Sequence, residues 1–351
     1  MAVRLEEYVV YLDDMSEGVS ALAESCRITN VFPFLSCVAV RSEGMPRYPG
    51  GAALAVRAAT VSVVMDKARE AVGCPPPAPT LRGGGPSVAV IDTGIAPHVD
   101  LCVPCRLAAF VDLVNGRKTP YDDNGHGTSV CGALAGNGLM SGGRYAGIAP
   151  DVPLVVIKAL GADGEGSTSD ILRAMQWIWT NRDKYDIGVV CMSFGAEPLA
   201  RGDPLAAGAE ALHDRGIVVV ASSGNDGPSG TVRSPGVSPY VLTVGGAALA
   251  PNGPELSVFS SRGVIGGRPK PDLVAPAEDI VCASAVGDYL ALTGTSIATP
   301  IVAGACAILR GAHPGYTPDK VRELLMRHAR PLAKGGEGAG HGMLDMSFMS
   351  A

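Results

Sequence analysis

The chain has 351 residues, 47% of them hydrophobic, with 28 Lys and Arg against 34 Asp and Glu, for a formal net charge of -6. That apolar share excludes a disordered chain, and the mild acidity without any basic run excludes a nucleic-acid footprint. No apolar run reaches the roughly 20 residues a membrane span requires, so no membrane role is expected.

Length suggests one large domain and one smaller one, at roughly 100–200 residues per domain. The first residues run straight into the apolar Tyr8–Leu12 without a charged start and a long apolar stretch, so no secretory signal is read and the expected location is cytoplasmic. Non-classical export stays open. The nine cysteines are odd in number, and Cys131, Cys191, Cys282 and Cys306 sit among apolar neighbours. They read as buried thiols in a reducing compartment. Cys102-Val-Pro-Cys105 has the spacing of half a metal site, with no second pair nearby.

Residues 1–70 read as a small α+β domain. Strand-like Tyr8–Leu12 precedes a helix from Ser16 to Glu24 with a serine cap, then strands at Ile28–Phe34 and Cys37–Arg41. A helix over Gly50–Ala59 and a closing strand at Val61–Met65 complete the order of a ferredoxin-like split βαβ unit. Residues 71–86 are rich in proline and glycine, which marks an extended linker.

From residue 87 to 351 short apolar strands alternate with longer helices. Strands are expected at Ser87–Ile91, Leu154–Ile157, Ile187–Met192 and Ile217–Ala221, and helices at Gly127–Ala135, Ser169–Arg182 and Leu205–Arg215. Val/Ile runs without polar alternation indicate strands buried on both faces, hence an α/β, doubly wound, mainly parallel sheet. Right-handed crossovers bring all strand C-termini to one edge, where ligands bind.

Four polar residues fall on that edge. Asp92 ends the first strand; His126 stands between glycines at a helix start; Asn225 follows the strand ending at Ala221. Ser296, in Gly294-Thr-Ser-Ile-Ala-Thr-Pro300, opens a buried apolar helix, where free N–H groups favour developing negative charge. Each alone is ordinary turn or cap chemistry. Together they put four polar groups at strand ends or helix starts of one doubly wound domain, in the order Asp, His, Asn, Ser.

Those stretches, with Val88-Ala-Val-Ile-Asp-Thr-Gly-Ile95, Asn124-Gly-His-Gly-Thr128 and Ser223-Gly-Asn225, resemble the subtilisin-like serine proteases (subtilases) over about residues 85 to 348. The resemblance implies Ser296 as nucleophile, His126 as general base, Asp92 as its orienting group and Asn225 in the oxyanion hole. It implies substrate walls at Gly164, Glu165 and Gly166, read as a strand pairing with bound peptide, and at Ser193, Phe194 and Gly195, with Ser222, Ser223 and Gly224 beside them. The family often carries histidine where Ser129 stands and methionine where Ile297 stands; neither position carries the chemistry.

Residues 6–67 resemble the inhibitory prodomain that precedes such catalytic domains, which makes the chain's own N-terminal domain a partner and Asp66–Gly73 the segment crossing the catalytic serine. Arg233 matches the floor of the pocket for the residue before the scissile bond, so a preference for an acidic residue there is expected, with Glu70 and then Asp66 as self-cleavage points. No cofactor is required; Ca2+ is an option through Asp100, which matches one ligand position of the family. The expected activity is hydrolysis of peptide bonds in peptide or protein substrates by a self-processing precursor. The alternatives are a maturation protease with a dedicated partner and a catalytically silent binding protein on the same scaffold.

Overall fold

The computed structural model describes residues 6–32, 36–43, 46, 55–57, 65–74, 85–228, 232–334, 336 and 338–350. The chain divides into two units, Met1–Ser62 and Val63–Ala351.

In the first unit β1 (Glu6–Tyr11), α1 (Met15–Ala23), β2 (Arg27–Phe32), β3 (Cys37–Ser42) and β4 (Ala55–Arg57) form a sheet of order β2-β3-β1-β4. β3 is antiparallel to both β1 and β2, and β4 is antiparallel to β1. That is the strand order of a ferredoxin-like split βαβ unit. Tyr8, Val10, Leu12, Leu22, Val38 and Val40 make its core. The cap of α1 is Asp14, which accepts from Ser16 N at 2.8 Å and Glu17 N at 3.1 Å, not Ser16 as the sequence suggested. Ala55–Arg57 is a strand inside the stretch expected to be helical. The rest of Gly50–Ala59, and the expected closing strand up to residue 64, lie outside the described residues.

The second unit begins with α2 (Met65–Ala71), which departs from expectation. Ala68 and Val72 are fully buried in the main core, the Arg69 guanidinium donates to the carbonyls of Gly147 and Ile148, and Met346 N donates to Val72 O at 2.7 Å. Residues 65–74 are therefore built into the large unit; they are not a strand laid across a cleft. Asp66 lies in the first turn of α2 and Glu70 is exposed near its end.

The central sheet has the order β11-β10-β9-β8-β5-β7-β6, with β14 also pairing β10. Its strands are β5 (Ser87–Asp92), β6 (Leu107–Asp112), β7 (Leu154–Lys158), β8 (Ile187–Met192), β9 (Val218–Ser222), β10 (Leu242–Ala250), β11 (Gly253–Leu256) and β14 (Leu273–Pro276). All pair in parallel except β11 with β10. Two short hairpins lie outside it, β12 (Gly263–Ile265) with β13 (Arg268–Lys270), and β15 (Ile280–Ala283) with β16 (Tyr289–Leu292).

Helices cover both faces: α3 (Val99–Cys102), α4 (His126–Ala135), α7 (Thr295–Ala312) and α8 (Pro318–His328), then α5 (Thr168–Asn181) and α6 (Pro204–Asp214). Along β5, Val88 and Val90 join the core shared with α4 and α7, whereas Ala89 and Ile91 join the one shared with α5 and α6. Both faces of the strand are dry, so its sequence is continuously apolar. α7 is long and apolar enough to suit a membrane by composition, but 83% of that window is buried inside the protein.

Candidate active site

Asp92 is the last residue of β5 and is fully buried. Its Oδ1 accepts from Thr93 N at 2.8 Å and lies 2.8 Å from Nδ1 of His126, the first residue of α4. A carboxylate only accepts, so Nδ1 carries the proton and Nε2 is left as the basic nitrogen. The charge of Asp92 raises the His126 pKa above 6.5, with the hydrogen bond adding to it and burial opposing it. Asp92 Oδ2 is buried without a hydrogen-bond partner among the described residues, so the imidazole is the main group answering that charge.

The loop that presents His126 is built around Asp122, which the sequence did not single out. Its carboxylate accepts from Thr93 Oγ1 (2.8 Å), Gly125 N (2.8 Å), Thr128 N (2.8 Å) and Thr128 Oγ1 (2.7 Å). Burial pushes its pKa up, but those donors together hold it below the usual carboxylate value. Lys158 was also missed. It ends β7 beside Asp92 in register, is fully buried, and donates to Thr93 O (2.7 Å), Leu160 O (2.9 Å) and Asp123 Oδ1 (2.6 Å). One cation so ties the ends of two strands to the histidine loop. Its only local signal was a lysine closing an otherwise apolar strand.

Ser296 is the second residue of α7, behind Gly294 at the N-cap. Thr295 N and Thr295 Oγ1 both donate to Asn225 Oδ1 at 2.9 Å. A backbone N–H can only donate, so the atom it meets is the amide oxygen and the NH2 group of Asn225 is turned the other way. A Cβ placed on Gly294 would stand 3.3 Å from Ser296 Oγ and 3.4 Å from Asn225 Nδ2. Serine hydroxyl and asparagine amide thus border one small space that only glycine leaves open. Pro300 lies inside α7 and has no N–H to give to the Ser296 carbonyl. Of the two family departures, Ser129 donates to Ala283 O at 2.9 Å and Ile297 is buried in the core.

The flanking walls are only partly as expected. Gly164, Glu165 and Gly166 are exposed, and Gly161 N donates to Glu165 O at 2.7 Å, which closes a turn where a strand was read. Ser193, Phe194 and Gly195 follow β8, with Phe194 O accepting from Ser222 Oγ at 3.0 Å. Ser223 O accepts from Arg233 N, and Gly224 O from Ser261 N, so both residues are fixed through their carbonyls.

Side chains at Gly195 or Gly224 would collide with the stem of Arg233, which therefore does pass between them. Its guanidinium, however, pairs with Asp226 Oδ2 at 2.7 Å and with Glu197. The expectation of a free cation waiting for an acidic side chain is corrected: two carboxylates already answer that charge.

Asp100 does not fit a calcium ligand. Met140 N donates to its Oδ1 at 3.0 Å and the Tyr289 hydroxyl to its Oδ2 at 2.6 Å. Burial and that bond push the tyrosine pKa up to about 12, so the donor keeps its proton. Donors converge where a cation would need acceptors only. Among the described residues no three His, Cys, Asp or Glu side chains group as a metal site.

Residues 83–343 match the model of the subtilase family. The chain is 41% identical over 273 residues to serine protease AprX of Bacillus subtilis, an alignment covering 70% of this chain and 61% of AprX. It is 33% identical over 253 residues to subtilisin Savinase of Lederbergia lenta, covering 72% and 86% respectively. The solved structure of the S41 psychrophilic protease superposes with a TM-score of 0.68 at 27% identity, over 75% of this chain and 92% of that one. The chain spans about three fifths of AprX and most of Savinase, and Asp92, His126, Asn225 and Ser296 all lie within residues 83–343. On the strength of that match and of the strand-end geometry beneath it, the chain belongs to the subtilase family.

Proposed function

We propose that the chain is a serine endopeptidase acting through Asp92, His126 and Ser296. One observation carries the reading: the Asn225 amide, held by Thr295 at 2.9 Å, shares with Ser296 Oγ the small space beside Gly294, while His126 leans on Asp92 at 2.8 Å. Ser296 Oγ attacks the scissile carbonyl as His126 Nε2 takes its proton. Asn225 and the Ser296 N–H stabilise the oxyanion, and the imidazolium returns the proton to the leaving amine. Water then hydrolyses the acyl-enzyme by the same steps in reverse order. A fluorophosphonate probe should label the protein at Ser296, and Ser296→Ala should abolish labelling and hydrolysis while keeping the fold. Labelling of another residue, or turnover surviving in the variant, removes the assignment.

Finer readings follow from the same site. The Arg233 stem makes the pocket before the scissile bond shallow, and one guanidinium against Glu197 and Asp226 leaves its rim net negative. We therefore replace the acidic preference by its opposite: small or apolar side chains are taken and acidic ones are disfavoured. Processing at Glu70 or Asp66 would cut a helix docked in the core, so the self-cleavage bond is assigned N-terminal to Met65. The unit ending at Ser62 is the self-inhibitor in this reading.

A further inference from the structure

Of the nine cysteines, only Cys102 and Cys105 are exposed; Cys37, Cys131, Cys191, Cys282 and Cys306 are buried, and Cys26 and Cys74 are partly so. Cys102 ends α3 and Cys105 precedes β6, and the two stand opposite each other in an isolated antiparallel bridge. Opposed residues in such a bridge have Cα atoms about 4.5–5.5 Å apart, inside the roughly 4.4–6.8 Å range that a disulfide spans without backbone movement. The turn between them is pinned by Val103 N to Val99 O at 3.0 Å and by Asn137 Nδ2 to Val103 O at 2.6 Å. The pair is therefore already in register to close.

A cation stands beside it. The Arg106 guanidinium, on the residue after Cys105, is fixed on the carbonyls of Ala135 (2.6 Å), Asp100 (2.6 Å) and Pro150. The attacking species in disulfide exchange is the thiolate. No other metal-ligating side chain joins the two among the described residues, so the pair lacks the four ligands of a structural zinc site.

We propose that Cys102 and Cys105 form a reversible redox pair that closes to an intramolecular disulfide by exchange with a low-molecular-weight disulfide. In the forward reaction one protein thiolate attacks a sulfur of oxidised glutathione and expels one glutathione thiolate. The second protein thiolate then attacks the protein sulfur of the mixed disulfide and expels the other. One oxidised glutathione becomes two reduced ones, the protein loses two thiol hydrogens, and one S–S bond replaces another. This inference does not depend on the proteolytic reading.

The test uses the full chain as Ser296→Ala, which removes self-digestion, equilibrated in glutathione couples, quenched with acid and alkylated with N-ethylmaleimide before peptide mapping. Cys102 and Cys105 should lose alkylation together, in a peptide lighter by two hydrogens, over about a hundredfold change in the ratio of oxidised to squared reduced glutathione. The bridged form should exceed the mixed disulfide by at least about tenfold at millimolar glutathione, because the second thiol is held in place. Adding Cys102→Ser should abolish the bridge and leave a glutathione adduct at Cys105. Stable adducts at both cysteines of the parent chain, links to other cysteines or between chains, or full alkylation throughout the oxidising range would overturn the proposal.

Discussion

Gly294→Ala isolates the space between the proposed nucleophile, Ser296, and the proposed oxyanion donor, Asn225. Gly294 has φ +152° and ψ 157°, a combination close to reserved for glycine, and holding alanine there costs about 1–3 kcal/mol. The new methyl would also stand 3.3 Å from Ser296 Oγ and 3.4 Å from Asn225 Nδ2, where the substrate oxygen has to enter. Losing one such donor lowers turnover about 10²–10³-fold, or roughly 2.7–4 kcal/mol in the transition state, so kcat should fall by at least that much. KM should change far less, since the oxyanion exists only in the transition state. Gly287→Ala is the control: φ is +84° but no atom lies within 4 Å of its Cβ, so the backbone strain is present without the obstruction. Steady-state kinetics on a peptide anilide and denaturant melts of both variants separate the two effects. A Gly294→Ala enzyme with wild-type kcat, or with a loss no larger than that of Gly287→Ala, would refute the reasoning.

The remaining expectations concern charge and processing. Asp92→Asn should lower kcat/KM by about 10⁴-fold, and its acid limb should move to lower pH. The sign follows from His126: the Asp92 charge raises its pKa above 6.5, the neutral base appears only above that pKa, and removing the charge brings it down. An unmoved limb in the pH profile would mean that another group titrates. Arg233→Gly should deepen the pocket and leave Glu197 and Asp226, both exposed, without their guanidinium, raising cleavage after Lys or Arg relative to Glu by about tenfold. A peptide library read with both enzymes decides it, and a shift toward Glu would show the rim argument to be wrong. N-terminal sequencing of the matured protein should begin at or before Met65, and the fragment ending at Ser62 should inhibit the matured enzyme when added back. A start after Glu70 or Asp66 would restore the earlier cleavage points.

The sequence by itself determined the sheet and the positions of the candidate reacting residues, because both are written in short-range chemistry. Val- and Ile-rich runs without polar alternation in β5, β7, β8 and β9 demand burial on both faces, and Asp92, His126 and Ser296 each stand where a strand ends or a helix begins. Glycine on both sides of His126 and before Ser296 marks those positions locally. Only the tertiary structure decided what answers each remaining charge. Arg233 meets Glu197 from 36 residues away, Tyr289 reaches Asp100 across 189, and Lys158 finds Asp123 across 35. Nothing in a local window encodes such a partner, so Arg233 read as a free cation and Asp100 as a calcium ligand. The same limit explains α2. Ala68 in it and Val72 just after it have helical spacing, but whether that face lies in a cleft or in the core depends on the Gly147 and Ile148 carbonyls and on Met346 at the far end of the chain. Periodicity fixes which side chains share a face; the long-range fold selects what that face meets.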